Sequence, residues 1–243
     1  MTTGAEGPAG PDRLLRYGSG DDQYIALSQP SGQARGTLVL IHGGYWRAPF
    51  TAELMRPLVP EFTSRGWLVA NVEYRRAQDG WAATRADLTS ALAGARAASS
   101  EPRLAIVGHS VGGQLALLGG EVGDAVVALA PVTDLVRGYH EGIGDGAVAE
   151  FFGAGPEAIP ETYACASPRA QVPPRGEVVV VHGSDDARVP VAHSRDYLEA
   201  ARAAGSKATL LELPRLPHLE AIAPDAPHWD RVHSWLDRWL DHG

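Results

Sequence analysis

The residues most suited to chemistry are Gly108-His109-Ser110-Val111-Gly112, which fit G-x-S-x-G and stand where an apolar run at 103–108 gives way to a helix-like run at 114–120. Small neighbours are what a sharp strand-to-helix turn requires, and such a turn lifts the serine hydroxyl clear of a sheet. The chemistry of that placement is nucleophilic attack on a carbonyl. The amide of Val111 and the helix dipole would then favour the developing oxyanion. The plainer reading is a turn serine that caps a helix.

A hydroxyl stays a poor nucleophile until a base takes its proton, and the base needs an acid to orient it. In a fold of this class the order along the chain is Ser, Asp, His, each after a strand. "VVVVHGSDDARVP" supplies two competing carboxylates, Asp185 and Asp186, and Asp134 in "APVTDL" is a reserve. The base expected after the last strand is His218, in "LLELPRLPHLEAIAP". The other histidines read differently. His42 and His182 end strands, where a buried imidazole with satisfied nitrogens is usual. His109 is expected to pack inside the turn, His140 and His193 to lie exposed on the lid and a helix, and His228 and His233 to belong to the last helix. "HGGYW", residues 42–46, offers a second oxyanion donor, since two glycines let backbone amides approach a substrate closely.

The elements that must position these residues alternate. Apolar runs at 36–44, 67–75, 103–108, 124–131, 177–183 and 207–214 read as strands. Helical spacing marks 51–66, 81–98, 114–120, 189–205 and 228–242, the last with Trp229, Val232, Trp235, Leu236 and Trp239 on one stripe. Near-continuous apolar strands alternating with helices predict an α/β fold, a mostly parallel central sheet with helices on both faces. Residues 1–243 are expected to form one domain with a loose lead-in at 1–22. The Gly- and Pro-rich stretch 135–174, with a brief apolar patch at Phe151 and Phe152, is expected to be a lid-like insertion beside the site.

Composition limits the function. A chain of 243 residues, 44% hydrophobic, can bury one sizeable core, and a net charge of −8 argues against nucleic-acid binding. Cys165 is the single cysteine, so no intrachain disulfide forms, and a small apolar filler is its expected role. The N-terminus has no apolar signal region, and no run approaches the roughly 20 residues of a membrane helix, so a cytoplasmic protein with no membrane partner is expected. H-E-x-x-H is absent, and no metal is expected. "GIGDGA", residues 142–147, formally fits G-x-G-x-x-A but follows "RGYHE" rather than a strand, so no dinucleotide or other cofactor is expected.

From about Gly36 to the C-terminus the chain resembles the α/β-hydrolase superfamily, on four separated motifs in the right order. "HGGYW" is similar to the HGGxW motif of the kynurenine formamidase (arylformamidase) branch, close to the HGGG esterases. His182 to Pro190 shows the spacing HGxxDxxVP found at the acid turn of such hydrolases. The resemblance implies an α/β-hydrolase fold and the triad Ser110, Asp186 and His218. It also implies an oxyanion hole from the amides of Gly44, Tyr45 and Val111. Tyr45 stands where HGGG enzymes have a third glycine. The implied activity is hydrolysis of a small ester or amide through an acyl-enzyme, with a lean toward an N-formylkynurenine-type substrate. A short-chain carboxylesterase is the alternative, and a ligand-binding protein on the same scaffold is the non-enzymatic one. Trp46, Tyr139, Phe151 and Phe152 are the expected substrate walls. A homodimer is one option for the assembly.

Overall fold

The computed structural model describes residues 13–242; residues 1–12 of the expected lead-in lie outside the described residues. Eight strands form one sheet: β1 (Arg13–Arg16), β2 (Tyr24–Ser28), β3 (Thr37–Ile41), β4 (Leu68–Glu73), β5 (Leu104–His109), β6 (Ala125–Leu129), β7 (Glu177–Gly183) and β8 (Thr209–Leu213). Their order is β1-β2-β4-β3-β5-β6-β7-β8. β1 and β2 run antiparallel to their neighbours, and every pairing from β4 to β8 is parallel. Valine runs such as 178–181 in β7 are buried throughout, as a sheet covered on both faces demands.

Around the sheet lie α1 (Val59–Ser64), α2 (Gly80–Ala97), α3 (Val111–Gly119), α4 (Leu135–His140), α5 (Ile143–Phe152), α6 (Pro160–Ala166), α7 (Ala192–Ala203) and α8 (Trp229–His242). Alternate strand residues point to opposite faces and divide the core. One side packs Val39, Ile106 and Val180 against α2, α3 and α7 through Leu92, Leu115 and Tyr197. The other packs Leu40, Val107 and Val181 against α1 and α8 through Phe62, Trp229, Leu236 and Trp239.

Three sequence expectations are corrected. The lead-in is not loose throughout: Arg13–Arg16 forms β1, which pairs in register with β2 at the sheet edge. Residues 51–66 are not one helix. Two 3-10 turns, Ala52–Leu54 and Arg56–Leu58, precede the short α1, because Pro57 and Pro60 lack the N–H that a continuous helix would use. The insertion at 135–174 is largely helical and has its own core. Leu135, Ile143, Val148, Phe151 and Tyr163 pack with Trp46 and Val111, so this insertion is seated on the segments that follow β3 and β5. Its helices hid from periodicity because α4 and α6 are short and because Gly144, Asp145 and Gly146 all take left-handed φ, leaving α5 with scarcely two regular turns.

Two single residues also differ from expectation. His193 is fully buried, with Nε2 3.1 Å from Glu141 Oε2, which joins α7 to the lid. Cys165 is exposed on α6 rather than filling a core.

Burial pushes the imidazoles of His109 and His228 down to about 3 and about 4. Both are neutral in the fold, whereas a histidine in the unfolded chain titrates near 6.5. The unfolded state therefore binds more protons between these values, so this stability is fully present above about pH 6.5 and is lost as pH falls toward 4. Thermal unfolding should give a Tm that is flat near neutrality and declines below pH 6.5, with a shallower decline in His228→Leu. Equal declines in both proteins would contradict this.

Candidate active site

The turn between β5 and α3 is built by close approach. A Cβ on Gly108 would lie 2.0 Å from the Gly112 carbonyl oxygen, and one on Gly112 would lie 2.0 Å from that of Ile41. Both positions therefore need glycine, which is the physical content of G-x-S-x-G here. Ser110 sits between them at φ 57°, ψ −116°. For a non-glycine residue such a conformation costs on the order of 1–3 kcal/mol, and surrounding structure must hold it. The hold is visible: the Ser110 amide donates to Leu129 O on β6 (2.8 Å), and its carbonyl accepts from the Gln114 amide (3.0 Å). The Ser110 side chain makes no capping bond to α3. The plain cap reading therefore fails, and the hydroxyl is left for other use.

Asp186 and His218 meet at the ends of β7 and β8. His218 Nδ1 lies 2.7 Å from Asp186 Oδ2, and the Asp186 side chain is fully buried. The other oxygen, Oδ1, accepts from the amides of Arg188 (2.8 Å) and Val189 (3.0 Å), which fixes the carboxylate plane. His182 adds a second imidazole, whose Nε2 donates to the Val189 carbonyl (2.9 Å) and also lies 3.4 Å from Oδ2. Burial alone would raise the Asp186 carboxyl. Bonds from His182 and His218, and from the Val189 amide, outweigh it and hold the group well below the usual carboxylate range.

The competing carboxylates have structural work. Asp185 Oδ1 accepts from the Leu216 amide (3.1 Å), tying down the loop that carries His218. Asp134 caps α4 by accepting from the Arg137 amide (3.0 Å) and pairs with Arg169.

The base loop reaches the serine turn through His109, whose ring lies 4.6 Å from that of His218. Ser110 and His218 are 2% and 5% exposed, so charges formed there are weakly screened by water.

The loop after β3 abuts the turn. A Cβ on Gly43 would meet Ser110 Cβ at 2.9 Å and the His109 carbonyl at 2.7 Å. Gly44, Tyr45 and Trp46 then take positive φ in succession (115°, 57° and 55°). Residues that sequence reasoning missed hold this strained run. Glu73 accepts from His42 Nε2 (3.0 Å), the Ala52 amide (2.8 Å) and Arg76 Nη1 (2.5 Å). Arg76 donates on to the carbonyls of Arg47 and Ala48, and Tyr74 Oη donates to the His42 carbonyl. Burial works against a charge on Glu73, yet these donors keep its carboxyl below the usual range. The signal available was "EYRR", charged residues at the end of an otherwise buried strand.

The expected aromatic walls are brought only partly together. Trp46 stacks on Phe151 with ring centroids 5.1 Å apart, and Phe152 packs edge-on against both. Trp46 and Phe151 are buried in the lid core, and their edges with Tyr45 line a small groove of about 160 Å³. Tyr139 joins the same cluster at one remove, edge-on against Tyr163, which in turn contacts Phe152. The lid also touches the β3 loop through Arg47 and Glu150, 2.7 Å apart, and through Gly144 against the Tyr45 ring. Among the described residues no cluster of His, Cys, Asp or Glu could hold a metal ion, and no helix is long and apolar enough to cross a membrane.

Comparison with known proteins gives the fold its place. A truncated carbohydrate esterase from gut microbiota superposes with a TM-score of 0.77 at 18% identity, covering 96% of this chain and 100% of that one. An esterase from the Planctomycetes species Thermogutta terrifontis, Est2 with propionate bound, gives 0.73 at 21%, covering 94% and 93%. The same esterase phosphonylated by sarin gives 0.76 at 21%, covering 96% and 95%. At these identities the likeness establishes the α/β-hydrolase fold. No curated protein matches the chain. The BD-FAE family model matches residues 24–200, a span that includes the HGGYW loop, the Ser110 turn and Asp186; with well over half of its length matched, this chain belongs to the BD-FAE family.

Proposed function

We propose that this protein is a serine hydrolase of short-chain carboxylic esters. The observation that carries the reading is the buried Asp186–His218 pair, with the His218 ring against His109, the residue that precedes a serine held, uncapped, at a strained strand-to-helix turn. With Nδ1 donating to Asp186, His218 keeps Nε2 for the serine. In the mechanism, Nε2 takes the Ser110 proton as Oγ attacks the ester carbonyl. The amides of Gly44, Tyr45 and Val111 hold the oxyanion, and Asp186 stabilises the imidazolium. The imidazolium then protonates the departing alcohol. Water, activated by the same base, releases the acid from Ser110.

The acyl group is proposed to be small. In support, the serine is almost closed to solvent and Trp46 and Phe151 are committed to the lid core. Est2 of Thermogutta terrifontis, which shares the fold, is described with propionate and with butyrate bound. The formamide reading rests on "HGGYW" and on aromatic edges at Tyr45 and Trp46 that could face an aromatic leaving group. The esterase neighbours make the ester the better-supported substrate. A protein that only binds ligands would leave the orientation of His218 by Asp186 without a use.

Two sets of measurements test this. Initial rates on p-nitrophenyl acetate, p-nitrophenyl butyrate and N-formyl-L-kynurenine should give the largest kcat/KM for an ester. A formylkynurenine kcat/KM well above both would move the assignment to the formamide. Ser110→Ala should lower kcat by about 10⁴-fold or more with the fold intact by circular dichroism. Asp186→Asn should be severely impaired, while Asp134→Asn retains turnover. Severe loss in the Asp134 variant alone would transfer the acid role.

A further inference from the structure

His109, the residue before the nucleophile, is buried and has no part in the mechanism above, yet it is the direct side-chain link between the serine turn and the base loop. Its Nε2 lies 2.9 Å from the main-chain carbonyl oxygen of His218. A carbonyl only accepts, so Nε2 carries the hydrogen and donates. Nδ1 is buried without a partner, which removes His109 from any proton relay. The ring lies 4.6 Å from the His218 ring and is 2% exposed.

The base loop needs such a tether. His218 opens a 3-10 turn directly after Pro217, which has no N–H to donate, and Arg215 nearby takes a positive φ of 55°. Within the loop the Glu220 amide donates to the Pro217 carbonyl, and Leu216, Ala221 and Ile222 pack into the core. Side chains tie it through the Asp185 bond to the Leu216 amide, the Asp186 bond to the His218 ring, Trp229 at the Ala223 carbonyl, and His109. Of these, His109 alone comes from the strand that carries the serine.

We propose that His109 is a positioning residue that sets the distance and angle of His218 relative to Ser110 by hydrogen-bonding the His218 main chain. This rests on the hydrolase reading above. Burial supports the role, because an imidazole pushed down to about 3 stays neutral and adds no charge against the imidazolium that forms on His218. Misplacement of a catalytic group by about 1 Å costs on the order of 100-fold.

The test compares His109→Phe, which keeps a buried ring but donates nothing, with His109→Gln, whose side-chain amide can donate from nearly the place of Nε2. On p-nitrophenyl acetate, His109→Phe should lose roughly 10- to 100-fold in kcat with little change in KM, and His109→Gln should recover most of the loss. Equal kcat in His109→Phe and the wild type, or equal losses in both variants at matched Tm, would overturn the proposal. A wild type with no Ser110-dependent turnover would instead overturn the hydrolase reading. A second measurement stands whether or not the Phe variant folds. In ¹⁵N-histidine spectra of the wild type, the ring assigned by its absence from His109→Gln should be the neutral Nε2–H tautomer down to pH 5. An Nδ1–H tautomer there would overturn the proposal for any substrate.

Discussion

Where β3, β5 and α3 cross there is no room for a Cβ, and the rest of the site depends on that contact. Gly112 lies against the Ile41 backbone, Gly108 against Gly112, and Gly43 against the Ser110 turn. Three backbones meet without side chains between them. This brings the first amide of a helix, a serine and a glycine-rich loop within a few ångströms of one another. Close packing transmits this: interiors at crystal-like density do not absorb an added methyl group by drifting apart. The positive φ values at Ser110, Tyr45 and Trp46 are the local cost of that meeting.

Two buried carboxylates stabilise the arrangement from opposite sides. Glu73 gathers His42, Arg76 and the Ala52 amide, and through them fixes the loop that follows β3. Asp186 gathers His182, His218 and two amides, and fixes the His218 ring. A buried charge is tolerable when hydrogen bonds satisfy it, and removing one partner is then expensive. Both anions are satisfied by groups that the site also needs in place. His182 is itself anchored on its far side, with Nδ1 2.6 Å from Ser194 Oγ on α7.

Much of this was legible in the sequence because it depends on local spacing. The elbow glycines and the apolar strands from Thr37 onward follow from what a strand-to-helix turn and a parallel sheet require, whereas the grouping of Ser110, Asp186 and His218 rested on resemblance. The choice between Asp185 and Asp186 was legible only by resemblance, since neighbouring carboxylates differ in direction, which composition does not encode. Of the antiparallel edge, β1 was missed because Arg13–Arg16 is short and mostly exposed, and β2 because its alternation, with Ile25 and Leu27 buried, spans only five residues beside a polar lead-in. In the 135–174 insertion, α5 was missed because left-handed Gly144, Asp145 and Gly146 break its period, and α4 and α6 because they are only six and seven residues long. Glu73 and Arg76 were missed because their partners lie in other segments and become neighbours only when β4 is placed beside β3.

The proposed mechanism turns on Ser110 as the nucleophile and on His218 as the base that activates it. Its most direct measurement is peptide mapping by mass spectrometry after brief exposure of the folded protein to a fluorophosphonate, alongside His218→Ala. A single phosphonyl adduct is expected, on Ser110, formed rapidly in the wild type and scarcely at all without His218. An adduct on another residue, or equal labelling of Ser110 in both proteins, would contradict it.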